Sequence, residues 1–234
     1  MYGWANRNKM ELTGTMLNFD HAFIMTYGRS GSTLLQGLLN TIPDAEIRGE
    51  NGNALFVLFL AVRALRQSQA HSAPSTEPTH PWYGASLIDY DSYEAGLISQ
   101  FKANVMPPSQ GRSLTGFKEI RYQTMNSNDL GKFLGFVRKH FPRTAFIINT
   151  RDLDEVVASN ARAKHQVSET HIRAADENFR HYAQENPDHA YHVHYDDYIA
   201  DPSLLDGLFE FLGAPLDQAA VTQALATTHS VRTK

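Results

Sequence analysis

The chain has 234 residues, 42% of them hydrophobic, which is enough to bury one sizeable core and predicts a single domain over residues 1–234. Its formal net charge of −4 gives no reason to expect nucleic acid or an anionic membrane as the main partner. Because the sequence has no cysteine, disulfides, thiolate metal sites and cysteine nucleophiles are excluded.

No part of the sequence is typical of export or membrane insertion. Residues 1–20 carry Arg7 and Lys9 and no continuous apolar run, so a signal peptide is not predicted. The most apolar stretch, residues 54–62, is far shorter than the ~20 residues that a membrane span needs. We therefore expect a cytoplasmic protein without a membrane span.

Hydrophobic periodicity divides the chain into alternating strands and helices. Strands are predicted over residues 21–27, 114–120, 144–150 and 190–194, and helices over residues 32–40, 53–67, 92–104, 129–140, 154–164, 169–185 and 202–212. Residues 68–84, rich in Ser, Pro, Thr and His, are expected to form a loop or lid. Strands separated by helices predict an α/β fold of the P-loop-like, three-layer type, with a central parallel sheet flanked by helices. Ligands bind such sheets at the carboxyl ends of the strands.

The first predicted strand leads into a glycine-rich loop, residues 27–33, just before the first helix. Backbone N–H groups of such a loop converge on an anion at the helix N-terminus, and Ser32 and Thr33 would add hydroxyl donors. A Walker A loop needs four residues between its glycines and then a Lys. Here only two residues separate the glycines and no Lys follows, which argues against an ordinary ATPase or kinase. A loop of this kind also occurs as a simple helix-capping turn.

A second candidate anion site follows the strand predicted at residues 144–150. Arg151 stands at the end of this strand and Ser159 lies eight positions later, in the next predicted helix. Eight residues carry the chain through a turn and into the helix, so that a guanidinium and a hydroxyl can hold one phosphate from two sides. Taken alone, the pair is better explained as a surface Arg and a helix Ser.

Together, the loop and this pair resemble the donor-binding motifs of the sulfotransferase family, which transfers a sulfonyl group from 3′-phosphoadenosine 5′-phosphosulfate (PAPS) to a hydroxyl. The resemblance implies that Arg151 and Ser159 bind the 3′-phosphate and that the loop binds the 5′-phosphosulfate. The loop residues implied are Arg29, Ser30, Gly31, Ser32 and Thr33. Because the family's loop has a Lys or Arg at the place of Arg29, that residue is also implied as a cation at the bridging oxygen. The Arg-Ser-Gly-Ser-Thr form is similar to the carbohydrate and tyrosylprotein enzymes rather than to the cytosolic type.

The resemblance also implies further catalytic residues. Carbohydrate and tyrosylprotein relatives often use as base a Glu from a Gly-Glu pair after the first helix, the place of Glu50 here. Residues 116–120 are similar to the family's Gly-x-Lys segment, which implies Lys118 as a second cation. Residues 194–202 resemble a segment whose Tyr, here Tyr195, lies near the nucleotide. The implied acceptor is a sugar or other alcohol, and no metal is implied.

Four other interpretations remain open at this point. Glu50 and Lys118 have an ordinary alternative as solvated surface charges. A kinase or NTPase would need a metal-holding carboxylate at the end of the strand, where Asn149 and Thr150 stand instead, and a non-catalytic nucleotide-binding module would have no use for Glu50. His192 and His194 share one face of a predicted strand and could ligate zinc, but no further ligand completes a convincing set.

Overall fold

The computed structural model describes residues 17–71, 77–107, 111–123, 125–163 and 167–226. Five strands form one sheet: β1 (His21–Met25), β2 (Ala45–Arg48), β3 (Leu114–Glu119), β4 (Thr144–Thr150) and β5 (Ala190–His194). Their order is β2-β3-β1-β4-β5, and every neighbouring pair is parallel. The predicted α/β fold with a central parallel sheet is therefore confirmed.

Helices connect the strands and cover both faces of the sheet. They are α1 (Ser32–Leu39), α2 (Ala54–Ser68), α3 (Tyr90–Asn104), α4 (Ser127–His140), α5 (Leu153–Arg162), α6 (Glu169–Glu185), α7 (Tyr195–Ala200), α8 (Asp206–Leu212) and α9 (Gln218–Ala226). Short 3₁₀ helices occupy Gln69–His71, Ala85–Leu87 and Pro202–Leu205. In the described part of the chain, no helix combines the length and the apolar character needed to cross a membrane.

The structure corrects several predicted boundaries. β1 ends at Met25 rather than at residue 27, because the chain turns into the glycine-rich loop there. The helix predicted over residues 202–212 is divided into a 3₁₀ helix and α8. The predicted loop at residues 68–84 begins with the end of α2 and a 3₁₀ turn, and residues 72–76 lie outside the described residues. β2, α7 and α9 were not predicted.

Alternating side chains of each central strand enter two separate cores. In β1, Phe23 and Met25 pack in one core with helices α2, α3, α4 and α6, whereas Ala22 and Ile24 pack in the other with α1, α8 and α9. Successive side chains of a strand point to opposite faces, so a strand buried on both faces must be apolar throughout. This double burial makes the sheet the middle of three layers and leaves its strand ends as the place for polar groups.

A buried carboxylate, Glu94, joins α3 to α2 and α4. It accepts hydrogen bonds from Arg66, Lys139 and His140, and its side chain is only 5% exposed. Burial by itself raises the pKa of Glu94, but the hydrogen bonds from Lys139, Arg66 and His140 outweigh this effect and lower the pKa to about 2, from a usual 4.5. The carboxylate therefore stabilises the fold in its charged form.

Replacing Glu94 by Gln should lower the free energy of unfolding by about 1.5–3 kcal/mol near pH 7, because a charged acceptor of several buried hydrogen bonds is lost. A carboxylate whose folded pKa is depressed stabilises the fold above its unfolded pKa and loses that effect as the pH falls. The difference in the free energy of unfolding between wild type and Glu94→Gln should accordingly reach its maximum above pH 4.5 and decrease towards pH 2.

Urea unfolding at a series of pH values measures this difference. Asp91→Asn is the matched control, since Asp91 pairs with the same Arg66 but is 88% exposed, and it should cost less than about 1 kcal/mol. A pH-independent difference for Glu94→Gln would contradict the assignment of the stabilisation to its charge.

Candidate active site

The carboxyl ends of the five parallel strands meet at one edge of the sheet, where open α/β sheets bind ligands. The residues predicted to be functional lie along this edge. The glycine-rich loop follows β1, Glu50 follows β2, Lys118 is the penultimate residue of β3, Arg151 follows β4 and Tyr195 follows β5. The fold therefore brings to one edge residues that are up to 166 positions apart in the sequence, Arg29 and Tyr195 being the most distant pair.

A buried polar network fixes the glycine-rich loop to the neighbouring strand. Thr26 Oγ1 lies 2.6 Å from both Ser30 Oγ and the backbone oxygen of Asn149. Asn149 Nδ2 donates to the backbone oxygen of Ser30 at 2.8 Å, and the hydroxyl of Tyr198 donates to Asn149 Oδ1 at 3.2 Å. All four residues are buried. The loop is thus held from below by hydrogen bonds and presents its backbone to the open edge.

Two left-handed residues give the loop its shape, Arg29 with φ 69° and Gly31 with φ 78°. Gly31 is the N-cap of α1, and the ring of Tyr195 lies directly against it. A Cβ atom at Gly31 would stand 2.1 Å from Cδ2 of Tyr195. Only glycine therefore permits both this backbone conformation and this ring position, and the structure places Tyr195 on the loop.

Arg29, Arg151 and Ser159, predicted for two different phosphate positions, are in direct contact. Arg29 Nε donates to Ser159 Oγ at 2.9 Å, and Arg151 Nη1 donates to the backbone oxygen of Arg29 at 3.2 Å. The Arg151 guanidinium also lies 4.9 Å from the centre of the Tyr195 ring. Two cations and a hydroxyl thus converge beside the loop, an arrangement that can bind a highly charged anion.

One atom of this group stands out. Arg151 Nε is buried and has no hydrogen-bond partner among the described residues, although the carboxylate of Asp196 lies 3.7 Å away. An unpaired buried donor on a charged group is costly. Arg151 therefore retains unused hydrogen-bonding capacity beside the loop.

Tyr27 and Asp176 position Arg151, and neither was predicted from the sequence. The Tyr27 hydroxyl donates to Asp176 Oδ1 at 2.7 Å and accepts from the backbone N–H of Arg151 at 3.1 Å. Burial raises the pKa of Tyr27 well above its usual range, so the phenol stays neutral and keeps both hydrogen bonds. Arg180 pairs with Asp176 at 2.7 Å and balances its charge.

The second half of the site contains two carboxylates and two cations. Lys118, only 6% exposed, donates to Glu50 Oε1 at 2.6 Å. Arg121 Nη1 lies 3.2 Å from Glu50 Oε2 and 2.9 Å from Glu119 Oε1. The predicted pair Glu50 and Lys118 is thus in direct contact. Glu119 and Arg121 were missed, although charged residues next to Lys118 at the end of an apolar strand are a signal that could have indicated them.

The histidines considered as zinc ligands surround a hydroxyl. Thr150 Oγ1 lies 2.7 Å from His192 Nε2 and 2.9 Å from His194 Nδ1. Burial lowers the pKa of His192 to about 4, so this ring is neutral near pH 7. Within the described ranges, no three His, Asp or Glu side chains are grouped so that they could hold a metal ion.

A parallel α/β sheet with a glycine-rich loop after its central strand and paired cations at the same edge is an arrangement typical of the class of proteins that bind phosphorylated ligands. Comparison with known proteins narrows this class. The model of the sulfotransferase family matches residues 22–218, and the chain belongs to this family. No curated protein matches the chain.

Solved structures show the same fold. The sulfotransferase domain of the olefin synthase from Synechococcus PCC 7002 is 18% identical, with a TM-score of 0.57 over 88% of this chain and 77% of that domain. The sulfotransferase domain from the curacin biosynthetic pathway is 16% identical, with a TM-score of 0.54 over 88% of this chain and 78% of that domain. Both likenesses confirm the P-loop-like architecture with helices on both sides of the sheet.

Gly31→Ala should destabilise the protein for two separable reasons. A left-handed alanine costs about 1–2 kcal/mol, and the added Cβ must also displace the Tyr195 ring. The second part should vanish in a Tyr195→Ala background, so we expect a coupling energy of about 1 kcal/mol or more between the two changes. Denaturant unfolding of the two single variants and the double variant measures it.

Gly28→Ala is the control within the same loop, because its φ is not positive and the nearest side-chain atom would lie 3.7 Å from the new Cβ. This variant should lose less than about 1 kcal/mol. If Gly31→Ala costs the same with and without the Tyr195 ring, the contact does not constrain the loop.

Proposed function

We propose that the protein transfers a sulfonyl group from PAPS to a hydroxyl of a sugar or another alcohol, with Glu50 as the general base. The observation that carries this proposal is the arrangement of charged side chains along one edge of the sheet in a chain of the sulfotransferase family. Arg29 after β1 and Arg151 after β4 form a positively charged site that suits an anion. Next to it along the edge, the Glu50 carboxylate after β2 contacts the nearly buried Lys118 ammonium of β3.

The anion site fits the two phosphate positions of PAPS. The backbone of residues 29–33 at the start of α1 suits the 5′-phosphosulfate, because N–H groups at a helix N-terminus favour an anion. Arg151 has a buried Nε without a partner among the described residues, and with Ser159 it suits the 3′-phosphate. The Tyr195 ring stacks on the Arg151 guanidinium and offers a flat surface beside the nucleotide.

Sulfonyl transfer forms one bond and breaks another. The acceptor oxygen attacks sulfur, the bond from sulfur to the bridging phosphate oxygen breaks, and the acceptor proton passes to Glu50, leaving a sulfate ester and 3′-phosphoadenosine 5′-phosphate (PAP). Negative charge grows on the bridging oxygen during this step, and the cations Lys118 and Arg29 would stabilise it. No step requires a metal ion.

Glu50 suits the role of base because it combines fixed geometry with access. Each of its oxygens accepts from one cation, Lys118 or Arg121, and each oxygen still has lone-pair capacity for a further hydrogen bond. Its side chain remains 28% exposed, so an acceptor hydroxyl can approach. The choice of a sugar or other alcohol as acceptor rests on the family resemblance and not on the position of Glu50, which tyrosylprotein relatives share.

The experiment that tests this function incubates the purified protein with sulfur-labelled PAPS and a panel of glycans, aliphatic alcohols, phenols and peptides. Label should appear in one of the alcohol or glycan acceptors. Transfer to phenols or tyrosyl peptides alone would overturn the acceptor class, and binding of PAP without transfer to any acceptor or to water would favour a nucleotide-binding module. Phosphoryl transfer from ATP would favour the kinase alternative, which family membership does not support.

PAP should bind at least tenfold more tightly than AMP, because only PAP carries the 3′-phosphate that Arg151 and Ser159 would hold. Arg151→Ala should weaken PAP binding by about 1.5–3 kcal/mol, the size of a hydrogen bond to a charged group, and should change AMP binding much less. Titration calorimetry measures both ligands on both proteins. Equal affinity for PAP and AMP in the wild type would contradict the 3′-phosphate assignment.

Glu50→Gln keeps the shape of the side chain and removes its capacity to take a proton. We expect kcat to fall roughly 10²–10⁴-fold while the Kd for PAP stays within about threefold, because the nucleotide site lies on the other half of the edge. Glu46→Gln is the matched control, since Glu46 lies on the same β2 segment with similar exposure, 29%, and should retain normal turnover. Near-normal turnover in Glu50→Gln would remove this residue from the chemistry.

A further inference from the structure

Glu119, the last residue of β3, is a fully buried carboxylate. Its Oε2 accepts the backbone N–H of Asn53 at 2.6 Å. Its Oε1 accepts the backbone N–H groups of Ile120 at 2.8 Å and Arg121 at 3.2 Å, together with Arg121 Nη1 at 2.9 Å. A carboxylate so far from water is tolerated only because it is paired and hydrogen-bonded on both oxygens.

The hydrogen bond from Asn53 places Glu119 under the turn that carries Glu50. This turn, residues 50–53, leads from β2 into α2 and contains two successive left-handed residues, Gly52 with φ 72° and Asn53 with φ 61°. A left-handed non-glycine residue persists only where its surroundings hold it. Here the holding contacts come from the end of β3 and the segment after it, since Glu119 accepts the Asn53 backbone N–H and Asn53 Nδ2 donates to the backbone oxygen of Arg121 at 3.3 Å.

Arg121 connects this buried anchor to the side chain of Glu50. Its Nη1 lies between the two carboxylates, 2.9 Å from Glu119 and 3.2 Å from Glu50. Its backbone also forms an isolated antiparallel bridge with Tyr27, the first residue of the glycine-rich loop. We propose that Arg121, anchored by Glu119, is a positioning residue for sulfonyl transfer that fixes the Glu50 carboxylate for proton removal from the acceptor. This inference rests on the proposed role of Glu50 as base.

The geometry gives Arg121 a task that Lys118 does not perform alone. Lys118 engages one oxygen of Glu50, and a carboxylate held at one oxygen can still rotate about its last carbon–carbon bond. Arg121 engages the other oxygen, so the plane of the carboxylate is fixed by two contacts. Misplacement of a reacting group by about 1 Å can cost about 10²-fold in rate, which sets the scale of the expected effect.

The test is a double-variant cycle with Arg121→Met and Glu50→Gln. Turnover is measured as PAP release at saturating PAPS, with the fastest acceptor of the panel, or with water if no panel member accepts label. Arg121→Met should lower kcat about 10–10²-fold, with the Kd for PAP within threefold of wild type. In the Glu50→Gln background the same change should cost less than about threefold, because a residue that acts through Glu50 has nothing left to position.

Arg173→Met is the matched control. Arg173 also bridges two carboxylates, Asp154 at 2.8 Å and Glu169 at 2.9 Å, and its side chain is 46% exposed against 49% for Arg121, but it lies on α6 away from Glu50. Its kcat should stay within twofold of wild type. Arg121→Lys keeps one cation and should recover part of the activity, as should guanidinium ion added to Arg121→Ala at a concentration that leaves the fold intact.

The outcomes separate the positioning role from the proposed function. Normal turnover in Glu50→Gln would overturn the base assignment and with it this inference. Loss of turnover in Glu50→Gln together with normal turnover in Arg121→Met would overturn the positioning role alone. Losses that multiply in the double variant, or a parallel loss of PAP binding, would show that Arg121 acts independently of Glu50. If Arg121→Met does not fold, Arg121→Lys takes its place, with a smaller loss of kcat expected and the same requirement that the loss disappear in the Glu50→Gln background.

Discussion

The parallel pairing of β1 with both β3 and β4 is the constraint on which the rest of the structure depends. Phe23 stands opposite Phe117 in β3 and Phe146 in β4, so the three central strands end nearly level. Their side chains enter two apolar cores, and the charged residues of these strands, Lys118 and Glu119, are the last two of β3. The glycine-rich loop after β1 and Arg151 after β4 therefore lie at the same edge of the sheet as Lys118.

Charges in the site are paired by direct contacts between side chains. Glu119 and Lys118 are nearly or fully buried, and such charges are stable only when paired. Arg121 is the shared partner that neutralises Glu119 from the solvent side while reaching Glu50. On the other half of the edge, Asp176 balances Arg180 and orients Tyr27. Both halves thus have a buried carboxylate below and cations towards the open edge, which suits an anionic ligand.

Several features could be predicted from the sequence. They are the fold class, four of the five strands (all except β2), and the places of the glycine-rich loop, Arg151 and Ser159 along the chain. These features have local causes, namely apolar runs, glycine spacing and helix periodicity. β2 was missed because it has only four residues, two of them charged, and its pairing with β3 is a tertiary contact. α7 was missed because its six residues follow β5 without a break.

Side-chain partners across the edge could not be predicted for a different reason. Contacts such as Arg29 with Ser159 and Arg121 with Glu119 and Glu50 depend on rotamers and strand register, which no periodicity encodes. Family resemblance assigned Arg29 and Ser159 to opposite ends of one ligand, yet the structure joins them by a hydrogen bond. Arg29 could stabilise the bridging oxygen as proposed in two ways. Its two Nη atoms could bind the ligand while Nε keeps its hydrogen bond to Ser159, or that hydrogen bond must break.

The two halves of the site are also connected through the backbone. Tyr27, the first residue of the glycine-rich loop, forms a backbone bridge with Arg121. Arg121 in turn contacts the turn of residues 50–53, which carries Glu50. Tyr27 also holds the backbone N–H of Arg151 through its hydroxyl. One residue thus links the segments after β1, β3 and β4. For the proposed sulfonyl transfer, the distance between the donor and the base must be held within a fraction of an ångström. A shared backbone bridge fixes that distance more directly than two separate loops would, because neither segment can shift without moving the other.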